Sequence, residues 1–220
     1  MPLPPSAPPT SNASVPHAPV FFLATPVHDG RIHHAYMVGV VQLSETGRLI
    51  LSRYTSSSMP TSRDILTARF LRSRATHLLC VNPDIGWGVT DVQRLLLANR
   101  DFVSGVYARK QADRALALDL LERREGQLIE ASFAPAGFLL LTRACVERMV
   151  AAHPELVYSQ PTGDTCALWA PIFDGKPYGE ELAFCARWRA LGGAIWAHSG
   201  VVVERYGDAL YLPAGFEGQP

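Results

Sequence analysis

Two adjacent acidic residues, Glu180 and Glu181, open a segment whose apolar residues keep helical spacing as far as Leu191. Carboxylates in the first turn of a helix are stabilised by the positive end of the helix dipole, so this pair has an ordinary structural explanation. A carboxylate at that place, behind a long loop, also suits a general base that takes the proton from a hydroxyl group. Both interpretations stay open at this point.

The segment Asn82-Pro83-Asp84 directly follows the most apolar predicted strand, at 76–81. A carboxylate there suits a divalent cation that bridges two phosphates, because Mg²⁺ and Mn²⁺ prefer hard oxygen ligands. The same residue types also build turns, in which Asn and Asp side chains bond to the local backbone. Taken alone, the turn is the simpler interpretation of Asp84.

Four cationic side chains are candidates for neutralising a diphosphate: Arg63, Arg109, Lys110 and Arg205. The planar fork of an arginine matches two phosphate oxygens. The alternative is that most of these residues are solvated surface cations. His28, His33 and His34 have no second cluster with metal-ligand spacing, so they are set aside as metal ligands, and we expect surface or packing roles for His33 and His34.

The first half of the chain alternates predicted strands with predicted helices. Strands are expected at 20–24, 49–51, 76–81 and 102–107, with helices at 31–43, around 65–71 and at 91–98. This alternation is typical of a parallel sheet covered on both faces, so the chain is predicted to be an α/β protein. Ligands of such sheets bind beyond the carboxyl ends of the strands, which here are Thr25-Pro26, Asn82-Pro83-Asp84 and 107–110.

The second half is less regular, but no domain boundary is expected within it. Helices are predicted at 113–124, 143–152 and 180–191, strands at 128–130, 138–141 and 194–196, and a loop at 159–177. Residues 1–19 contain seven prolines and are predicted to be a disordered tail. The folded domain is therefore expected to span 20–220.

Charge and composition exclude several classes of function. The chain has 20 basic and 20 acidic residues, so no bulk charge draws it to nucleic acid or anionic membrane. Only two of the cations are lysines, which leaves 18 arginines. No apolar run approaches the roughly 20 residues that span a bilayer. The four cysteines form no C-x-x-C pair, which favours reduced thiols in a cytoplasmic protein.

Several segments occur in an order that resembles a known family. "FFLATP", "SRDILTARFL", "THLLCVNPDIGW", "RDFVSGVYARK", "GFLLLTR" and "GEELAFCARWRALGGAIW" together resemble a small glycosyltransferase of the GT-A type, similar to family 2 members. The resemblance covers roughly residues 19–211. It implies a GT-A-like, mostly parallel central sheet flanked by helices. It also implies transfer of a sugar, with inversion, from a nucleotide diphosphate sugar, expected to be UDP-linked, to an acceptor hydroxyl.

The resemblance also implies roles on the donor side of the site. Thr25 and Pro26 would lie near the nucleotide, and Arg63 would face the nucleotide or its phosphates. Asp64 stands where the family segment usually has Asn. Asn82-Pro83-Asp84 occupies the position of a D-x-D motif, whose last carboxylate touches the metal.

Further matches concern the sugar and the acceptor. Tyr107 and Lys110 match a strand end beside the sugar site, and Gly137 belongs to the strand beneath it. Glu180 and Glu181 match an acidic pair, of which the second member is the base that deprotonates the acceptor.

Two departures from the family pattern concern the expected Mn²⁺ or Mg²⁺ ion. Asn82 replaces the first acid of the D-x-D motif, and Arg205 stands where the family has a metal-binding histidine. Losing both ligands weakens a divalent site, because affinity follows ligand charge and number. Arg205 is then an alternative that stabilises the diphosphate itself. His198, seven residues earlier, is a shifted candidate ligand.

The acceptor stays open between a glycan, a protein and a hydroxylated nucleobase in DNA. Trp169, Phe173 and Tyr178 in the 159–177 loop are candidates for an aromatic acceptor wall. Two other functions are kept as alternatives. One is a nucleotide-sugar binding module that has lost transfer, and the other is a nucleotidyltransferase, which would normally carry a glycine-rich basic loop after the first strand.

Overall fold

The computed structural model describes residues 18–213 and 215, so residues 1–17 of the predicted tail lie outside the described part of the chain. The described residues form five α-helices, one 3₁₀ helix at Pro154–Leu156, and fifteen strands. The α-helices are α1 (His34–Ser44), α2 (Met59–Arg72), α3 (Val89–Leu97), α4 (Arg143–Ala152) and α5 (Glu180–Ala190). The strands are β1 (Phe21–Val27), β2 (Leu49–Thr55), β3 (His77–Val81), β4 (Ile85–Gly86), β5 (Phe102–Val106), β6 (Asp119–Glu125), β7 (Leu128–Phe133), β8 (Phe138–Thr142), β9 (Val157–Tyr158), β10 (Thr165–Cys166), β11 (Ile172–Phe173), β12 (Pro177–Tyr178), β13 (Ile195–Val202), β14 (Glu204–Tyr206) and β15 (Leu210–Tyr211).

Eight strands form the central sheet, in the order β2-β1-β3-β8-β5-β13-β7-β6. β1 pairs in parallel with β2 and β3, and β13 pairs in parallel with β5. β8 runs antiparallel between β3 and β5, β7 is antiparallel to β13, and β6 is antiparallel to β7. Six of the eight strands thus share one direction. The predicted mostly parallel sheet is confirmed, with β7 and β8 as its reversed members.

Helices cover both faces of this sheet, because its strands are apolar on both sides. In β1, Phe22 and Ala24 belong to one hydrophobic core, and Phe21 and Leu23 belong to the other. This is the two-residue alternation of a strand. α2, α4 and α5 pack on the first core, and α1 and α3 pack on the second. The result is a single α/β domain of three layers.

The predicted helix at 113–124 is wrong, since residues 119–125 form the edge strand β6. Arg and Glu in this segment favour a helix when the segment is considered alone. However, β7 offers an open edge, and Gly126 adopts a φ of 62° that suits the two-residue turn between the paired residues Glu125 and Leu128. Charged residues on the exposed edge protect it from pairing with another chain.

A small three-stranded sheet lies outside the central one and orders a C-terminal segment. β14 pairs with β15 on one side and with β4 on the other, and β4 directly follows Asp84. The register sets Arg205 opposite Ile85, and the Tyr206 N–H donates to the Asp84 carbonyl at 2.8 Å. The segment that contains Arg205 is therefore fixed beside the end of β3.

The four cysteines, Cys80, Cys145, Cys166 and Cys185, are buried and free. Burial raises the pKa of the Cys80 thiol to about 12, which keeps this thiol protonated near neutral pH. Within residues 18–213 and 215, no helix is long and apolar enough to cross a membrane.

Candidate active site

A cleft of about 770 Å³ opens where β1 and β3 end, at the carboxyl edge of the parallel strands. Its lining includes Pro26, Asn82, Asp84 and Lys110, four residues for which the family resemblance implies donor binding. The cleft has the size of ordinary small-molecule sites, which run from about 300 to 1,000 Å³. Its position matches the crevice in which open α/β sheets bind ligands.

The Glu181 carboxylate is held by two hydrogen bonds to a single oxygen. Oε1 accepts from the Ala136 backbone N–H at 3.0 Å and from the Arg63 guanidinium at 3.0 Å. Among the described residues, no hydrogen bond to Oε2 is formed, and the side chain is 25% exposed. Oε2 is thus the oxygen that is free to accept a proton from an incoming hydroxyl group.

Arg63 links Glu181 to the end of β3. One guanidinium nitrogen donates both to Glu181 and to the Asn82 Oδ1 at 3.2 Å, and the other donates to the Ala136 carbonyl at 3.4 Å. The residue is 3% exposed and does not line the cleft. The structure therefore places Arg63 behind the site, where it orients Glu181 and Asn82.

A buried aromatic layer supports Arg63 from below. Its guanidinium carbon lies 5.1 Å from the centre of the Trp169 ring, which stacks on Phe184 at 3.8 Å. The Trp169 backbone N–H donates to the Asp64 carboxylate at 3.0 Å, and its indole N–H donates to the Thr67 hydroxyl at 3.1 Å. Burial raises the pKa of Asp64 to about 7, so this buried acid titrates near neutral pH.

Two cations converge on the carboxylate of Asp84. Its Oδ2 lies 2.7 Å from the Lys110 Nζ and 3.4 Å from the Arg205 Nε. Its Oδ1 is shielded from solvent and has no hydrogen-bond partner among the described residues. The Arg205 guanidinium lies 5.5 Å from the centre of the Tyr107 ring, which fixes the arginine on its second side.

Tyr107 and Gly137 form a tight buried contact beneath the site. The Gly137 N–H donates to the Tyr107 hydroxyl oxygen at 2.9 Å. A Cβ on residue 137 would lie 2.1 Å from that oxygen, so only glycine fits. Burial raises the pKa of Tyr107 above its ordinary value, which keeps the phenol neutral. Both residues shape the floor of the site rather than its accessible surface.

Three other predicted residues lie apart from these contacts. Thr25 is fully buried, and its hydroxyl bonds to the Tyr36 hydroxyl inside the protein. Glu180 lies beside Glu181 in the first turn of α5, whose N-cap is Gly179. His198 lies in β13, where its Nδ1 accepts from the Gly200 N–H at 3.1 Å. It does not line the cleft, so the structure does not place it with Asp84.

The predicted aromatic acceptor wall is wrong for one of its three rings, because Trp169 is buried. Trp169 is 1% exposed because it fills the core between α2 and α5. Phe173 is 79% exposed in the β11–β12 hairpin, and Tyr178 is half-buried beside it. Only these two of the three rings are accessible to a ligand.

Sequence reasoning missed an aromatic pair on the wall of the cleft. The His33 ring stacks on the Tyr206 ring, with 3.9 Å between the centroids, and both residues line the cleft. Burial lowers the pKa of His33, which favours its neutral form. The position of Tyr206 next to Arg205 in the sequence could have marked Tyr206 as a site residue. Its contact with His33, the N-cap of α1, could not be predicted, because it depends on the tertiary fold.

The residues around Asp84 do not fit the divalent cation that the family resemblance implies. Mg²⁺ and Mn²⁺ need several oxygen ligands, whereas Asn82 already gives its side-chain oxygen to Arg63. Asp84 is neutralised by two cations on one oxygen, and its second oxygen is enclosed. Within the described chain, no group of three or more His, Cys, Asp or Glu side chains could hold a metal ion.

The fold is similar to that of a solved viral protein, A197 from STIV. The two chains are 14% identical, and the match covers 92% of this chain and 98% of the other, with a TM-score of 0.57. At this identity the likeness shows a shared fold and nothing about activity. No family model matches the chain, and no curated protein matches it.

Proposed function

We propose that this protein is a glycosyltransferase that moves a sugar from a nucleotide diphosphate sugar to an acceptor hydroxyl. The observation that supports this most strongly is the link from Glu181 through Arg63 to Asn82. Within the described chain, it connects a carboxylate with one unbonded oxygen to Asn82, which lines the cleft, while Glu181 itself is not among the lining residues. Sugar transfer to a hydroxyl requires a base and cations near a cleft large enough for a nucleotide sugar.

The chemical step follows from these positions. The acceptor oxygen attacks the anomeric carbon of the sugar while the bond from that carbon to the diphosphate oxygen breaks. The acceptor proton passes to Glu181 Oε2, and the bonding electron pair leaves with the nucleoside diphosphate. Attack opposite the leaving group inverts the configuration at the anomeric carbon. Glu181 is the catalytic base in this proposal, and Arg63 is a positioning residue.

The cleft supports the donor half of the proposal. Pro26 and Asn82 lie at the carboxyl ends of neighbouring parallel strands, β1 and β3. The ring of Tyr206, stacked on His33, supplies a flat wall next to the end of β3, where the backbone N–H groups of His33 and Tyr206 donate to the carbonyls of Pro83 and Asp84. These features suit a flat base and a charged diphosphate within one ligand.

A nucleotide-sugar binding module without transfer activity is the alternative. The observation that favours it is Asn82, because this residue replaces an acid of the family pattern and is occupied by Arg63. The two functions share a ligand but differ in turnover.

A thermal-shift screen of nucleoside diphosphates and nucleotide sugars tests the donor half. Binding to the folded state raises the unfolding temperature by mass action. We expect at least one nucleotide sugar and its matching diphosphate to stabilise the protein, and the free sugar to have no effect. Binding accompanied by slow release of the diphosphate supports a transferase, whereas tight binding without release supports the module. No shift with any nucleotide would overturn both.

A further inference from the structure

We infer that Lys110 and Arg205 bind the departing diphosphate directly and take the place of the divalent cation in this protein. In this arrangement Asp84 is a positioning residue that holds the two cations together, rather than a metal ligand. The inference rests on the proposed function, since it names how the same cleft binds its leaving group.

The first support is the geometry of the three charges. Both cations contact the same oxygen, Oδ2 of Asp84, at 2.7 and 3.4 Å. The side chain of Lys110 is 38% exposed and lines the cleft, while those of Arg205 and Asp84 are 23% and 24% exposed. Lys110 is thus an exposed cation on the wall of the cleft, whereas Arg205 is partly buried. Arg205 is not among the lining residues, but it contacts Asp84 and precedes Tyr206, which both line the cleft.

The second support is that Arg205 is fixed before any ligand arrives. The pairing of β14 with β4 sets its backbone, and the Tyr107 ring lies along its guanidinium. Preorganised cations stabilise developing charge without having to reorganise during the reaction. Arg205 makes one ion-pair contact through Nε, and among the described residues no hydrogen bond from its terminal nitrogens is formed. These nitrogens are the donors that remain for phosphate oxygens.

The third support is the balance of charge. Lys110 and Arg205 carry two positive charges against one on Asp84, which leaves the cluster with a net charge of about +1. A divalent cation bound at Asp84 would lie beside two like charges, which opposes binding at that carboxylate, while Asp29 and Asp208 are the other acids of the lining. A diphosphate carries several negative charges and is attracted to the same cluster. Asn82 adds no charge, because its amide is neutral and is bonded to Arg63.

The role assigned to Asp84 differs from that of a metal ligand in a measurable way. If Asp84 held a metal, removing its charge would abolish binding of a diphosphate. If Asp84 only positions the cations, Asp84→Asn keeps a side-chain oxygen for Lys110 and Arg205 but loses its charge, so binding should weaken by less than about tenfold and should not depend on Mn²⁺. The two roles thus predict losses of very different size for one substitution.

The test is calorimetric titration of the full chain with UDP, and with GDP and ADP in parallel, in excess EDTA and again with Mn²⁺. We expect the wild type to bind its preferred diphosphate with affinities in the two buffers that agree within about threefold. Lys110→Ala and Arg205→Lys should each weaken binding in EDTA by about tenfold or more, since each loses charge-assisted bonds to phosphate. Lys176→Ala, at the other lysine of the chain, is the matched control and should bind as the wild type does.

Each result decides between the two roles. Asp84→Asn should bind the diphosphate in EDTA less than about tenfold more weakly than the wild type. Binding of UMP should be insensitive to Lys110→Ala, because UMP lacks the second phosphate. Binding that requires Mn²⁺, or Asp84→Asn losing binding more than tenfold, would overturn the inference and leave the proposed function standing. Absence of binding for every nucleotide in both buffers would instead overturn the proposed function. Thermal unfolding of each free variant verifies that it is folded.

Discussion

The Arg63 guanidinium donates to the Glu181 carboxylate at 3.0 Å, although the two residues lie 118 positions apart in the chain. The contact joins α2 to the first turn of α5 across the end of the central sheet. Because Arg63 is 3% exposed, the ion pair is shielded on the arginine side and screened little by salt. The pair therefore fixes the direction in which Glu181 presents its second oxygen.

Glu181→Gln should lower the rate of sugar transfer by about a hundredfold or more, because the amide cannot accept the acceptor proton. The amide oxygen can still accept from Ala136 and Arg63, so nucleotide binding should change little. Comparing turnover with nucleotide affinity for the same variant checks both statements. Glu122→Gln, on the exposed edge strand β6, is the matched control. A Glu181→Gln enzyme with full turnover would show that another group is the base.

Asp64 should make the free energy of unfolding depend on pH in an unusual direction. Its pKa is raised by burial to about 7 in the folded protein, from an ordinary value of 3.8. The folded state thus holds a proton that the unfolded state has already lost. The contribution of Asp64 to the free energy of unfolding is fully present below about pH 4. It decreases as the pH rises to about 7, by up to about 1.4 kcal/mol per pH unit.

Asp64→Asn isolates this effect, because Asn keeps the oxygen that accepts from the Trp169 N–H but does not titrate in this range. Denaturant unfolding from pH 5 to 8 should show the wild type losing stability relative to the variant up to about pH 7, with a constant difference above it. Parallel curves across the whole range would contradict the raised pKa.

Trp169 and Phe173 should respond very differently to truncation. Trp169→Ala removes a ring that stacks on Phe184 and is 1% exposed, so it should lower the free energy of unfolding by about 3 kcal/mol or more. Phe173→Ala removes a ring that is 79% exposed and should change stability by about 0.5 kcal/mol or less. Denaturant unfolding of the two variants measures both. Equal effects would contradict the placement of Trp169 in the core.

Gly137→Ala should destabilise the protein by about 1–3 kcal/mol, since the new methyl group overlaps the Tyr107 phenol. In a Tyr107→Leu background, the same substitution should cost clearly less, because the leucine side chain does not reach the position of the hydroxyl group. A double-mutant cycle on the free energy of unfolding gives this coupling directly. Additive effects would show that the crowding lies elsewhere.

Much of the fold could be predicted because its elements are locally determined. β3 and β8 are short apolar runs, and α5 has acidic residues at its start and Gly192-Gly193 after its end. β6 could not be found this way, because its charged residues fit a helix and only pairing with β7 makes them a strand.

In the candidate site, too, the position of some residues could be predicted from the sequence, and their contacts could not. Asn82, Asp84 and Lys110 could be placed by the rule that ligands bind at strand ends, and all three line one cleft. The contacts among the charged side chains could not be predicted, because they depend on which loops lie close together in the folded protein. The resemblance implies that Arg63 faces the phosphates, but Arg63 lies behind Glu181. The two cations that contact Asp84 are Lys110 and Arg205.

Release of nucleoside diphosphate from a panel of nucleotide sugars, compared between the wild type and Glu181→Gln, tests the central claim most directly. The account predicts release by the wild type from at least one donor, and a rate lower by about a hundredfold or more in the variant at saturating donor. Equal rates for the two proteins, or no release from any donor that binds, would contradict it.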